Sequence, residues 1–196
     1  MTENSLQPPW EYAPDVEPSP FEDSHDLRHG PDLNHALLGL LPYVGLWRGR
    51  GVGGYPTIDD FHYAQEIRIS HDGRPFLAYE SKAWLIEEDG TPIRPSAREV
   101  GWIRPVMSQE GDATDEIEAL LSSPTGIMEL HVGKVDGLKL ELATDAVVRT
   151  STAKSVTAGR RLYGIVEGVL LYAQEMAAVG YPLTSHLSAR LIRVGG

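Results

Sequence analysis

The 196-residue chain contains no cysteine. That excludes disulfides, thiolate catalysis, cysteine-ligated zinc and any covalently attached c-type haem. No apolar run approaches the roughly 20 residues that a helical bilayer span needs. Positive charge is scarce: 17 Lys and Arg face 28 Asp and Glu, a net charge of −11 at pH 7. Nucleic-acid binding needs a basic face, and docking on anionic membranes needs basic clusters, so neither is expected. The opening residues Met1-Thr2-Glu3-Asn4-Ser5 hold no basic segment followed by an apolar one. No secretory leader is expected, and the lack of cysteine suits a reducing cytoplasm.

What is present divides in two. Residues 1–31 are rich in proline and acid, with Pro8, Pro9, Pro14, Pro18 and Pro20 among Glu11, Asp15, Glu17, Glu22 and Asp23. Such a stretch has little to bury and reads as an extended, mobile arm, which Trp10, Tyr12 and Phe21 could pin. His25 and His29 share an i, i+4 spacing, but a metal site would need a helix and further ligands there. Two exposed histidines in a tail is the simpler reading. Residues 32–196 are long enough for one domain with a real core.

That domain opens with a short helical pattern. Asp32 suits a cap, Leu33, Leu37, Leu40 and Leu41 fall at helical spacing, and Pro42 suits a stop, predicting a helix over 33–41. Then comes Gly45-Leu46-Trp47-Arg48-Gly49-Arg50-Gly51, followed by Val52-Gly53-Gly54-Tyr55-Pro56-Thr57. Gly45, Gly49 and Gly51 frame one large ring, Trp47. Glycine serves where backbone passes close to a neighbour, so this block suits the closed end of a small β-barrel with Trp47 as its floor. A phosphate-binding loop would need a strand before it and a helix after it; here a helical run precedes and Pro56 follows.

From Val44 onward strands alternate with turn signals. Candidate strands run over 61–70, 76–87, 94–106, 115–121, 127–132, 138–144, 152–163, 168–178 and 186–194, with Gly133 read as a turn after Val132. With the glycine-framed strand this makes about ten, the pattern of an all-β, up-and-down antiparallel barrel of the lipocalin or fatty-acid-binding-protein type. No βαβ alternation is present.

Two blocks carry a family resemblance. Gly45-x-Trp47-x-Gly49-x-Gly51 followed by Tyr55-Pro56-Thr57 resembles the signature of the nitrobindin family. Met176-Ala177-Ala178-Val179-Gly180-Tyr181-Pro182-Leu183-Thr184-Ser185-His186-Leu187 resembles the family's C-terminal histidine block. The resemblance implies a β-barrel holding one haem b per subunit, with His186 as iron ligand and catalytic centre. It further implies binding of nitric oxide and isomerisation of peroxynitrite to nitrate. By the same resemblance Thr57 is a candidate haem contact, and Lys154, in Thr152-Ala153-Lys154-Ser155-Val156-Thr157, a candidate partner for a propionate. For Thr57 the competing reading is a turn residue shaped by Pro56; for Lys154, a solvated strand lysine.

Of the seven histidines, His186 shares a strand face with Ser188 and Arg190, while Leu187, Ala189 and Leu191 take the other face. That parity suits a rim position. Met176 is read as lumen packing rather than as a second iron ligand. A different function remains open: a haem-free carrier of a fatty acid or other small apolar ligand. It would fix a carboxylate with an inward arginine, with Arg68, Arg104, Arg160 and Arg190 as candidates. The expected partners are small molecules, without nucleic acid or membrane, and a homodimer is left open.

Overall fold

A computed structural model describes residues 16–196. Trp10 and Tyr12, with the rest of residues 1–15, lie outside the described residues. The chain forms a 3-10 helix, His35–Tyr43, and ten strands. They are β1 (Gly45–Tyr55), β2 (Ile58–Ser70), β3 (Leu77–Ile86), β4 (Pro92–Met107), β5 (Ala113–Ser123), β6 (Ile127–Asp136), β7 (Lys139–Arg149), β8 (Val156–Val166), β9 (Val169–Ala178) and β10 (Thr184–Gly195). Each strand pairs antiparallel with its sequence neighbours, and β1 pairs with β10 to close the barrel. The all-β, ten-stranded up-and-down barrel is as the sequence predicts.

Three local expectations need correcting. The helix is shifted and is not an α-helix: Asn34, not Asp32, caps it by accepting the Ala36 N–H at 3.1 Å, and Pro42 lies inside it. The buried residues Leu37, Leu40 and Tyr43 recur every third position, the 3-10 period, which leaves Leu41 outside the buried stripe. Gly133 is not a turn but the middle of β6. A side chain there would collide with the Glu141 carbonyl on β7, so glycine is needed for strand approach. Strand β8 begins at Val156 rather than Thr152, which puts Lys154 in the β7–β8 loop.

Consecutive antiparallel strands place alternate connections at opposite ends. One end carries the helix and is closed. Trp47 is fully buried there, its indole N–H donating to the Tyr43 carbonyl at 2.9 Å and the Arg193 guanidinium lying 4.5 Å over its ring. Side chains at Gly49 or Gly51 would strike the Arg190 and Ser188 carbonyls of β10, so the glycine frame lets β1 lie flush against its partner.

The described part of the arm is tied to the same closed end. Asp23 accepts from Arg68 at 2.6 Å and from Ser70, and Ser24 pairs with His71 through two backbone hydrogen bonds of 2.7 and 2.9 Å. Phe21, a candidate pin, is 83% exposed. The pinning is polar, because the outer face of β2 offers Arg68 and backbone rather than an apolar pocket. Among the described residues no group of three or more His, Asp or Glu side chains could hold a metal ion, which leaves His25 and His29 without further ligands.

Candidate functional site

The opposite end is an open mouth, edged by the β1–β2, β3–β4, β5–β6, β7–β8 and β9–β10 connections. His186 lies on β10 where the pairing slips: Ser185 faces Glu175 and Leu187 faces Gln174, so His186 is the extra residue of a bulge. A bulge re-aims its side chain. Plain alternation would send His186 outward with Ser188 and Arg190; instead its ring borders the lumen beside Leu187 and Met176. On its other side a groove of about 730 Å³ is edged by Val52, Gly54, Pro56, Asp60, His62 and Ser188. The imidazole therefore stands half-buried between groove and lumen.

Its hydrogen bonding fixes its chemistry. Nδ1 lies 2.9 Å from the carbonyl oxygen of Gly54. A carbonyl only accepts, so Nδ1 carries a proton, and in the neutral ring Nε2 is then the nitrogen with the lone pair. Among the described residues Nε2 makes no hydrogen bond. A neutral imidazole with one N–H on a backbone carbonyl and the other nitrogen bare is the arrangement of a metal-ligating histidine. The ring plane is held as well. Tyr55 meets it edge-on at 5.6 Å and 81°, and Phe61 at 6.5 Å and 69°. Tyr55 is buried; its oxygen accepts the Ala178 N–H at 2.9 Å and its hydroxyl donates to the Met176 carbonyl at 3.1 Å. Residues 54 and 55 thus hold His186 by carbonyl and by ring.

The other candidates lie at the same end without touching His186. Thr57 is exposed in the β1–β2 turn and its side chain makes no hydrogen bond among the described residues; its neighbour Pro56 edges the groove. Lys154 is exposed in the β7–β8 loop, without an ion pair among the described residues, two positions from Val156 on the mouth wall. Met176 packs with the Tyr55, Val156 and Ala178 cluster, as lumen packing requires.

His186, Leu187 and Met176 border a lumen cavity of about 230 Å³ whose lining includes the polar side chains of Gln65, Ser81, Glu99 and Glu129. Gln65 donates to Ser81 at 2.9 Å. Arg161, almost fully buried, binds Glu99 through two bonds of 2.7 and 2.6 Å and Glu129 at 2.9 Å. Burial pushes the Glu99 carboxyl up, but the Arg161 guanidinium outweighs it and holds the group below the usual carboxylate value. His131 is fully buried beside them, and burial, aided by Arg161, drives its pKa down to about 3. Tyr163 stacks on Tyr172 at 4.9 Å, and burial raises both phenols.

None of the four arginines proposed for a carboxylate faces this lumen. Arg68 and Arg104 bind Asp23 and Glu118 on the outer surface, and Arg160 and Arg190 are exposed. Strand parity turns them outward and turns Arg161 in. Sequence reasoning missed Arg161 and Tyr55. The phase of β8 would have exposed the first, and the Tyr-Pro-Thr motif already contained the second.

Known proteins share this barrel. Residues 36–193 match the model of the THAP4-like, heme-binding beta-barrel domain. A Salinispora arenicola protein named peroxynitrite isomerase is 72% identical over 99% of this chain and 98% of its own length. A Saccharopolyspora erythraea protein named ferric nitrobindin-like protein is 46% identical, covering 89% of this chain and 81% of its own. The crystal structure of Rv2717c from M. tuberculosis superposes with a TM-score of 0.72 at 40% identity, over 83% of this chain and 99% of that one. The chain belongs to the THAP4-like, haem-binding β-barrel family, the nitrobindin family its two motifs resemble.

Proposed function

We propose that this chain holds haem b at its open mouth through His186, binds nitric oxide there and isomerises peroxynitrite to nitrate. The observation that carries the reading is the Nε2 of His186, left without a hydrogen bond among the described residues while Nδ1 is held by the Gly54 carbonyl. The residues around it suit the group. Leu187, Met176, Val156 and Ile127 offer an apolar wall, and Thr57 and Lys154, exposed in connections at the same end, would be the groups to meet a propionate. Bound haem supplies an iron with an open position for a diatomic or peroxide ligand.

The chain's own contributions follow from its contacts. His186 would provide the nitrogen that holds the iron. Gly54 fixes the tautomer and raises the basicity of that nitrogen by drawing on the opposite N–H. Tyr55 and Phe61 hold the ring plane and keep water from the side of the imidazole. The Lys154 ammonium attracts a carboxylate at the rim, and the Thr57 hydroxyl is within the same edge. The carrier reading lacks its essential group: no Lys or Arg lines the lumen cavity, and the cation behind it already serves two carboxylates.

We also propose a second copy of the chain as a partner. Trp102, Leu120 and Leu130 face one another across β4, β5 and β6 on the outer surface, and Val100, Met128, Val132 and Val148 extend the patch. Contiguous exposed apolar area of this kind marks association. No helix among the described residues is long and apolar enough to cross a membrane. A cytoplasmic location remains the proposal that the cysteine-free composition supports.

The test is the visible spectrum of the chain purified with haem supplied, together with nitrate yield from peroxynitrite. A Soret band with turnover supports the reading. A chain that takes up no haem sinks it.

A further inference from the structure

The lumen cavity that His186 borders is lined by two carboxylates, Glu99 and Glu129, and among the described residues by no Lys or Arg. Behind them Arg161 is shared. Glu99 gives it both oxygens, whereas Glu129 gives only Oε2. Glu129 Oε1 has no hydrogen-bond donor among the described residues; His131 Nε2 lies 3.9 Å from it, and that histidine is neutral. The lumen therefore carries one carboxylate more than it has cations. Negative charge in excess of the cations at a lumen wall favours a cationic group that completes it.

A second, separate observation points the same way. Gln65 is 4% exposed and lines the same cavity, yet its side-chain Oε1 accepts no hydrogen bond. An unsatisfied buried acceptor asks for a donor. Ser81, Ser96 and Ser123 add hydroxyls around it. The space, about 230 Å³, suits a small organic molecule rather than a long acyl chain.

We infer that the lumen is a binding site for a small organic cation bearing N–H donors, of the guanidinium or alkylammonium class. Glu129 neutralises its charge through the free oxygen, in the charge-assisted geometry that carboxylates make with guanidinium groups. Gln65 accepts a further N–H. A carboxylate of the same size meets two like charges and no free cation, and is rejected. The inference does not rest on haem: it uses groups other than His186 and is tested on both forms of the protein.

The experiment is titration calorimetry of the full-length chain, haem-free and haem-loaded, with n-butylguanidinium chloride and with sodium butyrate at matched ionic strength. Butylguanidinium is expected to bind at one per chain to at least one form, and butyrate to neither. Glu129→Gln removes the charge and should weaken butylguanidinium by about tenfold or more, as loss of a hydrogen bond to a charged group does. Gln65→Leu leaves the Arg161 ion pairs in place and should weaken it severalfold. If Glu129→Gln fails to fold, Gln65→Leu decides alone. Absence of binding to both forms, unchanged affinity in the variants, or equal binding of butyrate overturns the inference.

Discussion

The ring of Tyr55 stands edge-on to the imidazole of His186, centroids 5.6 Å apart and planes at 81°. The same tyrosine anchors the end of β9 through Ala178 and Met176. It therefore couples the stability of the mouth to the orientation of the histidine. Tyr55→Phe keeps the ring and strands the Ala178 N–H, which should cost about 1–3 kcal/mol in urea unfolding. Haem should dissociate several times faster from the variant, because the imidazole loses a fixed support. An unchanged off-rate in stopped-flow transfer to an acceptor protein would show that Tyr55 only braces the strands.

Trp47 is fully buried at the closed end. Trp47→Ala should lower stability by about 3–5 kcal/mol, as buried tryptophan truncations do. Thermal and urea unfolding read this directly. An unchanged midpoint would mean that the glycine frame holds the floor without the ring.

The barrel was legible because its turns are punctuated by glycine and its strands recur at even spacing. What failed, failed for local reasons. Gly133 looks like punctuation, yet it serves close approach to β7. The helix was phased at four residues per turn, whereas Leu37, Leu40 and Tyr43 follow three. His186 was found by its motif. Tyr55 was not, since its role exists only once the fold brings Ala178, 123 residues later, against it. Arg161 was hidden in the same way, for its carboxylates come from β4 and β6.

The arm makes a proposal that pH can test. A chain beginning at Asp32 should still fold, with the same far-UV spectrum per barrel residue, because the core is drawn from the barrel and the 3-10 helix. Among the described residues it loses the partly exposed Asp23–Arg68 pair, the Ser70 hydrogen bond to Asp23 and the Ser24–His71 bridge, with about 1 kcal/mol or less for the pair. Asp23 is held below the ordinary aspartate value, chiefly by its hydrogen bond with Arg68. A depressed carboxylate contributes stability that is present above the unfolded pKa and lost as pH falls through the folded one. The difference between full-length and shortened chains should therefore shrink in acid. Aggregation of the shortened chain at neutral pH would show that the arm belongs to the core.

His131 predicts a second, steeper pH dependence. It is neutral in the fold, its pKa lowered to about 3 mainly by burial. The unfolded chain takes up the proton near the ordinary histidine value and the folded chain does not. Stability is therefore full above that value and falls as pH drops toward 3. The slope is about 1.4 kcal/mol per pH unit for one proton. His131→Leu should flatten this slope; His71, also lowered by burial, leaves a remainder. A slope identical to wild type would place the titration elsewhere.

The patch on β4, β5 and β6 gives a direct assembly test. Trp102→Glu combined with Leu130→Lys puts charge at its centre, where both side chains are substantially exposed. If two copies meet there, light scattering should show the wild type as a dimer and the double variant as a monomer with an unchanged fold. A monomeric wild type at high micromolar concentration ends the proposal.

His186 carries the functional reading, so its replacement must separate ligation from pocket shape. His186→Ala removes the imidazole and leaves Tyr55, Phe61, Leu187 and Met176 as apolar surface. Haem can still adsorb, since burying its ring is favourable without the metal bond. Affinity should nonetheless fall sharply, the Soret band should shift or vanish, and nitrate yield should fall with it. Imidazole added to the variant should restore part of the band if the emptied space admits it, which a merely destabilised pocket would not do. His131→Ala is the control, because that ring is fully buried below the mouth and does not border the cavity. Its Soret band should match wild type. A wild-type spectrum in His186→Ala would assign the iron to another residue, and a lost spectrum in His131→Ala would move the site into the lumen.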